Sequence, residues 1–300
     1  MTAEKTQRHS QAHRHRHSLS QSPTAVFDSI DAALETELRQ NTVERDAFQA
    51  FADRVGEISV TTEAPDSVPP TIGVDTTGPS RLQAVRVAYE ETVMATPHYK
   101  TEYGESYPVN LRAELGADVA TAMLGARRLS RRHKHIVLGA VTDVLTARRQ
   151  LIAGLDAEQA SVDALREPVC TLVSDLDRLE AAIDRPMATD SARADYEPQL
   201  RDAYRRRLSV FEDRCHELID RRQSEIVDLR HKLSLSVNQP DLPTYLYQEL
   251  PADHPVVATL TACLNVRASV WPRSSRPVTA SRTPDWTRVT GTAPASRGAC

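Results

Sequence analysis

Apolar residues alternate three and four positions apart in one part of the chain: Val162, Leu165, Val169, Leu172, Leu176, Leu179 and Ile183. This is a heptad seam, which keeps apolar side chains on one face of a helix that packs against another. The seam extends back to Val141, with Arg148 and Glu158 as polar interruptions. A helix that starts near Ser130 would contain about 54 residues and measure about 80 Å. Pro168 should kink it, because proline lacks a backbone donor.

A second seam follows a breaker that contains Pro186 and Pro198, and its apolar members are Leu200, Tyr204, Leu208, Phe211, Cys215, Leu218, Leu229 and Leu233. Two long seams joined by a short connector favour an antiparallel helical hairpin, here over residues 130–236. Such a hairpin would pair positions whose numbers add up to about 381. Polar seam residues such as Arg148, Arg222 and Glu225 would restrict its register. The same seams could also pair between two copies of the chain.

Shorter elements are predicted to cover this hairpin. Ser22 and Pro23 suit the start of a helix over 22–59, and a proline- and glycine-rich linker occupies 60–80. Short helices follow over 80–129, and a helical cap over 240–266 begins beyond the hairpin. The sequence therefore predicts one all-α domain over 22–266, in which a long, kinked, coiled-coil-like antiparallel hairpin packs with shorter N- and C-terminal helices.

Both ends of the chain are basic and poor in apolar residues, so 1–21, which is rich in histidine, and 267–300 are predicted to be disordered tails. Residues 1–22 carry a net charge of +3 and residues 267–300 one of +5. Since the whole chain is at −4, the intervening body is at −12. An acidic body repels nucleic acid, although basic tails can still contact phosphates.

Tyrosine, histidine and glutamate are concentrated between residues 89 and 110, which hold four of the eight tyrosines. The candidate residues for an interaction or ligand site here are Tyr89, Glu91, His98, Tyr99, Tyr103 and Glu105. A smaller patch contains Tyr245, Tyr247 and His254. The patches could be a packed structural knot, a binding surface or an acid–base site. The knot is favoured because no catalytic or phosphate-binding motif is present, and we predict no catalytic residue, metal or cofactor. We also hypothesise that the two patches meet in space.

A basic cluster lies where the long helix should begin: Arg127, Arg128, Arg131, Arg132 and Lys134. Cations in a first turn oppose the helix dipole. Either the helix begins earlier, near Asp118, or an anion compensates for them. That anion could be the protein's own acidic face, which is the favoured interpretation, or nucleic acid or anionic lipid.

Several classes of protein lack support in the sequence. No window approaches the run of about 18 apolar residues of a membrane span, and no secretion signal is visible, so the predicted location is the cytoplasm. The four cysteines, Cys170, Cys215, Cys263 and Cys300, show no metal-binding spacing. They are predicted to be reduced thiols.

Three segments carry a resemblance to a known family: "VRVAYEETVMATPHYKTEYGE", "NLRAELGADVA" and "YLYQELPADHPVVATL". Together they resemble a family of haloarchaeal helical proteins that carries only a domain-of-unknown-function label, over about residues 25–265. A basic complement of 33 arginines and only four lysines agrees with a salt-adapted source. The resemblance implies a shared helical fold and no particular activity.

The leading functional hypothesis is therefore a non-enzymatic helical interaction or scaffold protein that binds a protein partner or associates with itself. One alternative is a nucleic-acid-associated regulator that uses the basic cluster and the tails. Another is an uncharacterised enzyme or ligand binder at residues 89–107.

Overall fold

The computed structural model describes residues 22–60, 80–184, 197–235 and 240–274. The predicted N-terminal tail, nearly all of the 60–80 linker and most of the predicted C-terminal tail lie outside these ranges. Within them the chain forms helices and no strand, which confirms the all-α prediction. No helix in these ranges is both long and apolar enough to cross a membrane. The elements are α1 (Pro23–Glu57), α2 (Arg81–Thr92), α3 (Tyr99–Glu102), α4 (Tyr107–Leu115), α5 (Ala117–Gly125), α6 (Arg131–Asp184), α7 (Glu197–Lys232), α8 (Leu242–Leu246) and α9 (Pro255–Ser274).

Side-chain caps define where α1, α2 and α8 begin, as Ser130 also does for α6. The Ser22 hydroxyl accepts a hydrogen bond from the Ala25 amide at 3.2 Å, one residue before Pro23 opens α1. Ser80 caps α2 in the same way, and Asp241 caps α8 through the amide of Thr244 at 2.9 Å. Each cap satisfies an amide that has no partner within its helix, so the chain enters the helix at a defined residue.

The long helix α6 contains 54 residues and continues across Pro168. It runs antiparallel to α7. Near the start of the pair Gly154 lies against the Leu233 side chain, and further along Ser161 accepts a hydrogen bond from Arg222 at 2.7 Å. The residue numbers of these two pairs add up to 387 and 383, close to the predicted 381. The hairpin therefore forms close to the register that the two seams indicate.

Two apolar cores lie along α6, and α1 contributes to both. Core A joins the N-terminal half of α1, the C-terminal half of α6, and α7, α8 and α9; its central residues include Phe27, Ile30, Leu165, Val169, Phe211 and Leu260. Core B joins the C-terminal half of α1, α2, α4, α5 and the N-terminal half of α6; its central residues include Phe48, Phe51, Tyr89, Leu111, Leu129 and Val141. The first helix therefore covers apolar flanks that a two-helix hairpin alone would expose.

Some boundaries differ from the sequence prediction. The final helix extends to Ser274, beyond residue 266, where the predicted basic tail begins. The segment 89–110, which we call the Tyr/His patch, contains the end of α2, α3 and the start of α4, which begins at Tyr107 with Pro108 in its first turn. Proline is tolerated there because first-turn amides need no partner within the helix. Gly116, at φ 90°, separates α4 from α5.

Candidate functional site

Most of the Tyr89 side chain serves the packing of core B. Its ring meets Phe51 edge-on at 5.1 Å and Tyr107 at 5.5 Å between centroids. Its hydroxyl donates to Asn110 Oδ1 at 2.7 Å. Burial raises the pKa of Tyr89 well above its usual value. A buried tyrosine whose hydroxyl is satisfied inside the protein is a structural residue.

The centre of the patch is a carboxylate that the sequence analysis did not single out. Glu44 of α1 is nearly buried, and its Oε1 accepts hydrogen bonds from His98 Nε2 and from the Tyr103 hydroxyl, each at 2.9 Å. Its other oxygen, Oε2, lies 2.6 Å from Arg148 Nη1 of α6. We call Glu44, His98, Tyr103, Arg148 and the nearby Glu114 the Glu44 cluster.

Arg148 of α6 links this cluster to α1 and α4. Besides Glu44 it contacts Asn41 Oδ1 at 3.0 Å and Glu114 Oε2 at 3.3 Å. Burial raises the pKa of Glu114, although the Arg148 cation opposes that rise. Arg148 interrupts the apolar seam in the sequence, which signals a polar position in the interior. Its partners on α1 are more than a hundred residues away along the chain, and no local pattern indicates them.

The second patch divides between two networks. Tyr245 donates to Glu37 Oε1 at 3.2 Å, and Asn41 also donates to that oxygen at 2.8 Å, so Tyr245 is linked to the Glu44 cluster through α1. Tyr247 instead lies in core A and donates to Glu158 Oε1 at 2.8 Å. That carboxylate is also paired with the buried Arg222 of α7.

The remaining candidates of the patches have local partners. The Tyr99 hydroxyl donates to the backbone oxygen of Glu105 at 3.1 Å, and the Glu105 carboxylate is 3.4 Å from Asn110 Nδ2. Glu91 forms an exposed ion pair with Arg54 at 2.7 Å. His254 lies 3.9 Å from Asp241. These contacts hold helices and turns together and converge on no common point.

The Glu44 cluster has little room for a ligand. The cavity that it borders measures about 10 Å³, which is space for roughly one water molecule. Glu44, His98 and Glu102 do bring possible metal-ligand atoms within 4.8 Å of one another. However, both Glu44 oxygens already accept from protein donors, and the Arg148 cation would repel a metal ion at the same carboxylate. The geometry favours a packed polar cluster.

The basic cluster separates into one structural cation and four exposed ones. Lys134 Nζ donates to the backbone oxygens of Gly56 at 2.5 Å and Ile58 at 2.9 Å, so it caps the C-terminus of α1. Helix α6 begins at Arg131, with the Ser130 hydroxyl accepting from the His133 amide. The other four cations are exposed and form no ion pair with any residue in the described ranges: Arg127, Arg128, Arg131 and Arg132. Within the described ranges, no acidic side chain pairs with these four arginines as the favoured self-pairing interpretation expects.

An opening that the sequence analysis did not identify lies at the far end of the hairpin. A groove of about 600 Å³ runs between the C-terminal end of α6 and the N-terminal end of α7. Its apolar lining is Leu172, Leu179, Ala182, Val210 and Phe211. Its charged lining is Asp175, Arg178, Arg206, Arg207 and Arg214. We call this the tip groove.

The tip groove lies where the cover of the hairpin is incomplete. Leu172 belongs to core A together with Phe27, and α1 begins only four residues before Phe27, at Pro23. On α7, next to the buried Phe211, Val210 has an exposed fraction of 65 %. The two seams predict apolar residues here, but they do not encode how far the other helices cover them.

Comparison with known proteins gives one match. A family model described as a domain of unknown function (DUF7260) matches residues 25–268. No curated protein matches the chain, and no solved structure does.

Proposed function

The chain belongs to the DUF7260 family, and we propose that it is a non-enzymatic helical adaptor that binds a protein partner in the tip groove. The observation that supports this proposal is the open, apolar-lined groove between α6 and α7. The candidate catalytic groups around His98, in contrast, surround a cavity that holds roughly one water molecule. An open groove with an apolar lining is typical of an interaction protein.

The groove has the composition of a protein-binding site. Its lining combines a large aromatic residue, aliphatic residues and arginines, and lysine is absent from it. Protein interfaces are enriched in aromatic residues and arginine and depleted in lysine and glutamate. Val210, on the exposed edge, would be covered by a partner that fills the groove.

Site-specific photo-crosslinking in the native cells tests this proposal. A photoreactive phenylalanine derivative is placed at Val210 in the full-length protein, and the captured peptides are identified by mass spectrometry. The matched control carries the same group at Val227, which is half exposed on the same helix and about 25 Å further along it. We expect one reproducible partner peptide from position 210 and none from position 227.

Two results would reject the proposal. Equal labelling from both positions, or labelling from position 210 confined to the chain itself, would reject a protein partner in the groove. Circular dichroism of both variants verifies that neither substitution disturbs the helices.

A second candidate function rests on a different surface. The four exposed arginines at the start of α6 have no ion-pair partner in the described ranges, and four nucleic-acid phosphates could neutralise them. We propose nucleic-acid association through Arg127, Arg128, Arg131 and Arg132 as the alternative to the adaptor.

Gel-shift titrations with a short DNA duplex and a single-stranded RNA test this alternative. Binding that weakens with salt and is lost in Arg131→Ala/Arg132→Ala, but retained in Arg206→Ala/Arg207→Ala, would support it. Equal loss in both double variants would indicate general attraction to arginine and reject a defined site.

A further inference from the structure

We propose that the partner segment in the tip groove is an acidic amphipathic helix. This inference rests on the proposed adaptor function and adds the chemistry of the partner. It follows from the charge around the groove, from the two helical walls that α6 and α7 provide, and from the poor charge match of a second groove or of the segment 1–21.

The rim of the groove carries uncompensated positive charge. Four arginines face one carboxylate, that of Asp175, which lies 3.2 Å from Arg178. The other three, Arg206, Arg207 and Arg214, are exposed and form no ion pair with any residue that the structure describes. Three neighbouring cations that form no ion pair with a described residue repel one another, and an acidic ligand would reduce that repulsion.

The position of these arginines suits a helical ligand. Arg206, Val210 and Arg214 are spaced four residues apart, so they form one stripe along α7 beside the apolar floor. On α6 the lining residues Leu172, Leu179 and Ala182 recur at helical spacing. An amphipathic helix laid between two helical walls would insert its apolar stripe and place flanking carboxylates against the guanidinium groups, which bind carboxylates through paired hydrogen bonds.

Charge argues against two parts of the chain as the occupant: a second copy of the groove and the segment 1–21. Two tip grooves facing each other would bring eight arginines together with only two aspartates. The segment 1–21, which leads into α1 near the groove, carries four cations and one anion, so it too would be repelled. An acidic protein partner meets no such repulsion, and basic competitors would be excluded.

Fluorescence anisotropy with two labelled synthetic peptides tests the inference on the full-length chain. Both peptides carry leucine at positions i, i+3, i+4 and i+7. One has glutamate at the flanking positions, and the other has lysine there. We expect the glutamate peptide to bind at least about tenfold more tightly than the lysine peptide, with the difference shrinking as salt is added.

Variants of the rim and the floor locate the binding. Arg206→Glu/Arg207→Glu should reverse the preference between the peptides. Val210→Asp should weaken the binding of the glutamate peptide by about tenfold or more. Arg131→Glu/Arg132→Glu, at the other end of α6, serves as the matched control and should leave the preference unchanged.

The possible outcomes separate this inference from the adaptor proposal. Equal affinity for the two peptides, or no binding of either, would overturn the acidic-helix inference. If position 210 still captures a partner in cells, the adaptor proposal survives that failure. Light scattering identifies a further outcome: concentration-dependent self-association that Val210→Asp abolishes would assign the groove to a second copy of the chain and overturn the inference.

Discussion

Glu158 shows how much a single buried residue can control in this protein. Its side chain is 1 % exposed, and its pairing partner Arg222 is 4 % exposed. Tyr247 donates to the same carboxylate oxygen, whereas Glu158 Oε2 has no hydrogen-bond partner among the described residues. A carboxylate in such a place depends on its cation, because desolvation without a partner is costly.

The first prediction follows from this dependence. Arg222→Ala should lower the free energy of unfolding by about 3–5 kcal/mol, because it leaves the Glu158 carboxylate buried without a cation. Urea unfolding measures the loss. The matched control is Arg221→Ala, one residue away, which removes an exposed ion pair with Glu225 and should cost less than about 1 kcal/mol. Equal losses in the two variants would contradict the assigned role of Glu158.

The second prediction concerns Glu114. Because burial raises its folded-state pKa, the folded protein binds more protons than the unfolded chain between the unfolded pKa of about 4.3 and the raised folded value. The contribution of Glu114 to the free energy of unfolding therefore falls as the pH rises through that window. Above the window the ionised carboxylate continues to destabilise the folded protein. Glu114→Gln should become more stable relative to the unsubstituted protein as the pH rises from about 4 to 7.

Urea unfolding at several pH values measures this trend. Glu91→Gln, on an exposed side chain, provides the control and should show no comparable trend. A stability difference for Glu114→Gln that stays constant with pH, or that shrinks as the pH rises, would contradict a raised pKa.

At the scale of the helices, the cations of the basic cluster occupy two different structural environments. Lys134 reaches across to the C-terminus of α1, where a cation is favourable to the helix dipole. Arg131 and Arg132 occupy the first turn of α6, where a cation is unfavourable. The position of a charge relative to two helix ends therefore decides whether it stabilises.

The third prediction uses this contrast. Lys134→Met should lower stability by about 1 kcal/mol, because two backbone oxygens of α1 lose a charged donor. Arg132→Met should be neutral or stabilising by a few tenths of a kcal/mol. Thermal and urea unfolding of the two variants, side by side, measure the difference. A loss from Arg132→Met as large as that from Lys134→Met would mean that Arg132 has a structural partner.

The helices themselves are largely predictable from the sequence, and their mutual contacts much less so. The 3–4 spacing predicts α6 and α7 and, through their connector, their antiparallel register within a few residues. Ser22 and Ser80 mark helix starts because their hydroxyls satisfy local amides. All of these signals lie within a few turns of the residues they describe.

The candidate sites depend on information of longer range. Arg148 is recognisable as a polar interruption of a seam, but its partner Glu44 lies on α1, which pairs with α6 by packing that no short motif records. The tip groove lies between α6 and α7, near the level at which α1 begins. How far one helix extends along another is set by their packing, and no seam within a single helix specifies it.

At the scale of the whole molecule, α1 and α6 join the two cores, and the Glu44 cluster lies between them. Tyr99 and Tyr247 belong to different parts of this arrangement. The Tyr99 hydroxyl bonds to the backbone of its own segment, whereas Tyr247 bonds to Glu158 in core A, so the two hydroxyls share no partner. The hypothesis that the two patches form one joint site therefore applies to Tyr245 and the Glu44 cluster, and it excludes Tyr247.

The fourth prediction tests that division with a double-mutant cycle. Tyr99→Phe and Tyr247→Phe should lower stability additively, within about 0.5 kcal/mol, because neither change alters the other's contacts. Glu44→Gln and Arg148→Met, which break one 2.6 Å ion pair, should show an interaction energy of about 0.5–3 kcal/mol and so provide the positive control.

Coupling between the two tyrosines as large as in the control would mean that a change in one core reaches the other through α1 and α6. The tip groove, which borders core A, would then be under the influence of the Tyr/His patch at the opposite half of the molecule. Additivity would leave the groove dependent on core A alone, so that variants of the Glu44 cluster should retain partner binding.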